Sequence, residues 1–185
     1  MSKLARDKIS QSQIKEVLRY DPETGVFTWR PRKTEQFGGL NPSRDMKKWN
    51  ACYANTTAGG VGSAGYRFIT VYDIPYLASR LACLHMTGSF PDDCMDHINH
   101  IKDDDRWCNL REVTRAENNR NLAMRKSNKS GVTGVHWYSP SQVWRANIRI
   151  KGKLKHLGCF ADIKNAAAAR KIAERKYGFH ENHGL

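Results

Sequence analysis

The sequence predicts an α+β protein in two parts. The first is an N-terminal module built round a strand–loop–strand–helix core; the second is a three-stranded antiparallel sheet packed on one helix. Three observations lead there. Two short apolar strands flank a polar loop at 99–108 and run into a helix start at Thr114. Apolar and polar residues alternate along Val143–Lys151, the period of a half-buried strand. Charge divides the chain in the same place. Residues 1–122 carry 18 basic and 15 acidic side chains, and residues 123–185 carry 13 and 3, within a net charge of +13. A segment so biased repels itself, so a polyanionic partner is expected. The expected limits are 1–122 for the first domain, 123–130 for a basic linker and 131–185 for the second domain.

Composition excludes several classes. No apolar run reaches about 18 residues, so no membrane span is expected. No apolar stretch follows the N-terminal lysines, so no signal peptide is expected. The five cysteines are odd in number and form no C-x-x-C pair, which argues against a zinc knuckle and a disulfide framework. Reduced thiols in a cytoplasm are the expectation, with the chain a monomer.

Along the chain, Ser10–Tyr20 reads as a helix, with Ser10 and Gln13 as a capping box and Ile14, Val17 and Leu18 on one face. Asp21–Gly25 is a turn and Val26–Trp29 a strand. Residues 30–64 have no clear period; Trp49, among Arg44, Lys47 and Lys48, either touches nucleic acid or pins a long loop. Gly65–Tyr76 reads as a hairpin turning at Asp73-Ile74-Pro75. Leu77–Met86 is a helix stopped by Gly88. Arg80 on it either approaches a phosphate or is solvated. Met95–Ile98 and Asn109–Val113 are the strands round the polar loop. Thr114 with Glu117 forms a capping box that places Asn118 in the first turns of a helix.

This last stretch carries the chemistry. Phosphodiester cleavage needs a nucleophile made from water and charge that stabilises the leaving oxygen. A neutral histidine, His97, is a suitable base near pH 7. A hard cation such as Mg²⁺ or Mn²⁺ needs oxygen ligands and keeps several waters. Asp96 and the amide oxygen of Asn118 supply two.

Asp96-His97-Ile98-Asn99, Asn109-Leu110-Arg111 and Glu117-Asn118-Asn119, in this order and spacing, resemble the HNH (ββα-metal) endonucleases, and most of all the phage and intron homing enzymes among them. The similarity extends through Tyr20–Gly25, the Gly65–Tyr72 hairpin and Arg80-Leu81-Ala82. The resemblance implies that His97 is the general base, that Asp96 and Asn118 bind one metal ion, and that Asn109 holds the loop and orients the histidine. Arg80 and Arg111 would approach DNA. Two departures stand out: Ser79 where the family often has His, and His100-Ile101 where relatives often have Gly-Asp. His100 is thereby a second candidate base. The implied reaction is hydrolysis to a 5′ phosphate and a 3′ hydroxyl, one strand per active site. A non-catalytic DNA-binding protein on a decayed fold, or a non-specific defence or packaging nuclease, are the alternatives.

Downstream, strands are predicted at Val132–Tyr138, Val143–Lys151 and Leu154–Phe160, then a helix capped by Asp162 and closed by Gly178. Trp144, Ala146, Ile148 and Ile150 point one way. Gly134-Val135, Trp144, Ile148-Arg149, Leu157–Phe160 and the alanine-rich helix are similar to the Apetala-type (ethylene-response-factor) DNA-binding domain. That resemblance implies that the sheet enters the major groove of double-stranded DNA. Arg145, Asn147, Arg149 and Lys151 would then face the bases or backbone. His136 and His156 stand where the family often has Arg and Trp, so a different base sequence is expected.

Overall fold

The computed structural model describes residues 8–124 and 126–184. Lys3, and Arg125 of the expected linker, lie outside the described residues. The chain folds as two compact units, Met1–Glu112 and Val113–Leu185, so the fold is α+β with several small antiparallel sheets.

In the first unit, α1 spans Gln11–Val17 and starts at the Ser10–Gln13 capping box, with Ile14 and Val17 buried. The expected helix to Tyr20 ends three residues early. Leu18 is already extended, and Leu18–Tyr20 forms β1 with an alternating buried–exposed–buried pattern. Both Leu18 and Tyr20 are core residues, and only period 2 buries both. β1 pairs antiparallel with β2, Phe27–Trp29, placing Tyr20 opposite Phe27.

The stretch without a period contains α2, Pro42–Tyr53, which buries no residue and so left no apolar signal. Its inner face is held by polar and ring contacts instead. The Asn50 side chain bonds both the N–H and the carbonyl of Arg32, at 2.8 and 2.9 Å. Trp49 stands edge-on to Trp29 at 5.6 Å, under the Arg32 guanidinium at 4.2 Å. Trp49 therefore pins this segment.

β3 (Gly60–Val61), β4 (Arg67–Val71) and β5 (Ile74–Leu77) form an antiparallel sheet in that order. The hairpin turn is Tyr72-Asp73, both with positive φ (49° and 61°), and not the expected Asp73-Ile74-Pro75. Ile74 pairs with Val71 and Pro75 with Thr70. β5 is an edge strand, where the missing proline N–H is tolerated. α3, Ala78–Thr87, ends at Gly88 in the left-handed conformation. It closes a core with Ile14, Val17, Leu18, Phe27, Ile69, Val71 and Leu81. Burying each such large side chain contributes about 1.5–3 kcal/mol.

β6 (Cys94–His97) and β7 (Leu110–Val113) form a two-stranded sheet. Between them lies the polar loop, which ends in a 3-10 turn at Trp107–Asn109. Asn109 thus closes the loop, one residue before the strand that was expected to include it.

In the second unit Thr114 caps α4, Arg115–Asn118, through its reciprocal bonds with Glu117. The chain's last described turn bonds back to this region: the amides of His180 and Gly184 donate to the carbonyls of Arg120 and Leu122 at 3.2 and 2.9 Å. β8 (Val135–Tyr138), β9 (Val143–Ile150) and β10 (Lys153–Phe160) form a sheet of order β10-β9-β8. α5, Ile163–Lys176, is capped by Asp162 and packs on it. Ala146 and Ala166 meet there at zero exposure, with Val135, Trp144, Leu157 and Phe160 round them. Among the described residues no helix is long and apolar enough to cross a membrane.

Candidate active site and nucleic-acid interface

His97 ends β6 and is 5% exposed. Its Nε2 lies 3.1 Å from Oδ1 of Asp105, which is 3% exposed. A carboxylate only accepts, so Nε2 carries the proton and Nδ1 is the basic nitrogen of the neutral ring. Tyr66 stands 6.0 Å from the imidazole, and Lys102 reaches over Tyr66 to donate to the Ala64 carbonyl. The hairpin thereby roofs the histidine.

The loop is held from inside. Asn109 is buried; its Oδ1 accepts from the Asn99 amide at 3.0 Å and its Nδ2 donates to the Asp104 carbonyl at 2.8 Å. Its own carbonyl accepts from the Ile98 amide. Asp104 takes two bonds from Arg106, at 2.7 and 2.6 Å, and one from Asn99. Arg106, more than Asn99, holds this carboxyl down to about 2, against partial burial. His100 has φ 65° and donates its amide to the His97 carbonyl, closing a tight turn.

Asp96 precedes His97 and is nearly buried. Its Oδ2 accepts from Nε and Nη2 of Arg111 at 3.0 and 2.7 Å. Arg111 is thus an ion-pair partner of the carboxylate in this structure. Arg80 donates to the Asp93 carbonyl at 3.3 Å and lies over Phe90, tying α3 to the start of β6. Asn118 belongs to α4 of the second unit. Among the described residues no three His, Cys, Asp or Glu side chains cluster as a metal cage. The Asp96 carboxylate is a hard oxygen donor, the kind of ligand that suits a hard divalent cation that keeps most of its water.

One contributor, Asp105, escaped sequence reasoning, and two others, Tyr20 and Gly25, entered it only within the resemblance and without a role. Asp105 was hidden in the run Asp103-Asp104-Asp105, whose acidity between two strands was the available signal. Tyr20 donates its hydroxyl to the Asp105 carbonyl at 2.7 Å; burial, then the Asp105 charge, pushes its phenol well above the usual range. Gly25 has φ 73° and packs on the Asp105–Arg106 peptide.

On the second unit's sheet, Ala146 and Ile148 face α5, leaving Arg145, Asn147 and Arg149 on the opposite side. His136 pairs with Arg145 across β8–β9, and His156 with Asn147 across β9–β10. The His156 Nδ1 lies 3.0 Å from the Asn147 Oδ1, so the ring donates there. Arg145 lies over the Tyr138 ring at 3.4 Å, while Arg149 donates to the Gly152 carbonyl. Lys151 falls in the β9–β10 turn (φ 48°), past the strand end, where it had been expected within the strand.

Comparison with known proteins bears on the first site. The HNH endonuclease family matches residues 76–120. Protein 3.8 of Escherichia phage T7 is 36% identical over 59 residues, covering 32% of this chain. The match spans about half, 49%, of that phage protein. No solved structure matches the chain. Residues 76–120, with Asp96, His97 and Asn109 inside them, are thus the stretch that is similar to HNH endonucleases.

Proposed function

We propose that this protein is a metal-dependent, site-directed DNA endonuclease that nicks one strand per active site. The observation that carries the reading is His97 in a fixed tautomer, beside Asp96, in a loop braced by Asn109. Nδ1 of His97 takes the proton from water as the water oxygen attacks phosphorus. The bond from phosphorus to the 3′ oxygen breaks, giving a 5′ phosphate and a 3′ hydroxyl. Asp96 and Asn118 are the proposed holders of Mg²⁺ or Mn²⁺. When bound, that ion neutralises charge at the scissile phosphate and the departing oxygen. Asn109 is proposed to keep the loop rigid and Arg80 to meet a phosphate, a reading supported by its bond to the Asp93 carbonyl just before β6.

The second unit is proposed as the anchor, an Apetala-type reader whose basic sheet face, with Arg145, Asn147, Arg149, Lys151, His136 and His156, lies in the major groove. Boundaries of the two modules are proposed at 122 and 131. A mobile-element role, a monomeric chain and action in the cytoplasm of a phage host complete the reading. Supercoiled plasmid carrying native flanking DNA, incubated with Mg²⁺, should become nicked circles; His97→Ala should lose at least about 100-fold in rate. Equal cutting by that variant defeats the assignment. One observation favours the rival, a non-catalytic DNA-binding protein: Arg111 already neutralises Asp96. Absence of cleavage with both Mg²⁺ and Mn²⁺ at the tightest binding site would establish it.

A further inference from the structure

A buried carboxylate is costly unless its oxygens are paired. Asp105 is 3% exposed, yet only its Oδ1 meets His97, and its Oδ2 has no hydrogen-bond partner among the described residues. Folding alone does not explain such a group; a leucine or asparagine there would be cheaper to bury.

The backbone at Asp105 is gripped from the distant turn Tyr20–Gly25, with Tyr20 lying 85 residues upstream. Tyr20 donates its hydroxyl to the Asp105 carbonyl at 2.7 Å, in a buried bond. The Trp107 amide donates to the Pro22 carbonyl at 2.9 Å. Gly25 sits against the same peptide so closely that a Cβ would stand 2.5 Å from both the Asp105 carbonyl carbon and the Arg106 nitrogen. Its φ of 73° also belongs to the region that glycine enters without strain. From the other side, Asn109 and Arg106 hold Asp104. The Asp105 carboxylate, which touches His97, is therefore clamped on both flanks.

We propose that Asp105 is the positioning residue of His97, and that the turn Tyr20–Gly25 belongs to the active site because it fixes Asp105. The proposal rests on the reading of His97 as the base. A carboxylate at this place admits one arrangement, with the proton on Nε2 and Nδ1 turned to its task. An asparagine admits a second: its amide can donate to Nε2, which moves the imidazole proton to Nδ1 and removes the base. In serine-protease triads the same exchange, with geometry intact, lowers turnover by about 10⁴. The turn lies outside the residues that match the family, 76–120, so that stretch alone would lack the clamp.

The test uses the full chain and DNA that the wild type cuts. Asp105→Asn should lower kcat by about 100-fold or more and leave the KM for DNA within about threefold. Tyr20→Phe and Gly25→Ala should lower kcat with the same KM. In ¹⁵N-histidine-labelled wild-type protein, at a pH where the imidazole is neutral, the ring proton of His97 should reside on Nε2. Asp105→Asn should shift it toward Nδ1. A kcat within about threefold of wild type for Asp105→Asn, or a wild-type proton on Nδ1, overturns the proposal. If Asp105→Asn does not fold, the wild-type proton position and Tyr20→Phe still decide. If the wild type cuts no DNA, the endonuclease reading fails, and the spectra alone decide whether Asp105 fixes the ring.

Discussion

Asn109→Ala tests how much the loop depends on one side chain. Asn109 is 6% exposed and makes two bonds to backbone groups, at 3.0 and 2.8 Å. Truncation leaves the Asn99 amide and the Asp104 carbonyl without that partner. Each orphaned group costs about 1–3 kcal/mol, so the variant should lose about 2–6 kcal/mol in urea unfolding at unchanged slope. Typical domain stability of about 5–15 kcal/mol exceeds most of this range, and the variant should fold. Activity should suffer more. A loop displaced by about 1 Å at the base costs about 100-fold in rate, read as single-turnover cleavage at saturating Mg²⁺. Asn109→Asp sharpens the test. It keeps the acceptor but turns a carboxylate oxygen toward the Asp104 carbonyl, so it should be no more stable than the alanine variant at neutral pH. Protonating the new carboxyl restores a donor, so its deficit should shrink in acid. If Asn109→Ala unfolds within about 0.5 kcal/mol of wild type, the brace argument is refuted.

Arg111→Ala leaves Asp96 nearly buried without its guanidinium, so its melting temperature without metal should fall; Mg²⁺ should then raise it more than it raises the wild type. An equal Mg²⁺ response in thermal-shift measurements would take Asp96 out of the ion site. Asp104 is depressed to about 2 by Arg106, so its contribution to stability is full above about pH 4, the range of an unfolded carboxyl, and is lost as pH falls through about 2. Acid-unfolding curves should show this loss in the wild type, and Arg106→Ala should lack it. Arg145→Ala with Arg149→Ala should weaken DNA binding and lower the slope of log affinity against log salt by up to about 2; an unchanged slope would free that face of any phosphate contact.

The sequence carried the fold where periodicity or capping wrote it down. Ser10 with Gln13, Thr114 with Glu117, and the alternation of β9 all lie where those rules place them. Elements held by polar or tertiary contacts were illegible. α2 buries nothing and is docked by Asn50 and Trp49, so no apolar stripe announced it. β1 overrode a helical pattern because Leu18 and Tyr20 must both reach the core. At the site, Asp96, His97 and Asn109 stood out by type and spacing. Asp105 did not, since its meaning depends on Tyr20 and Gly25, residues brought to it only by the fold.

Hydrolysis of DNA at the His97 site leaves defined chain ends. Its most direct test is end-group analysis of the cleaved strand. Nicked circles made by the wild type with Mg²⁺ should be resealed by DNA ligase without prior treatment, because a 5′ phosphate faces a 3′ hydroxyl. Neither His97→Ala nor Asp96→Ala should yield nicks above background. Nicks that ligase cannot close, or nicks made as fast by either variant, would contradict the account.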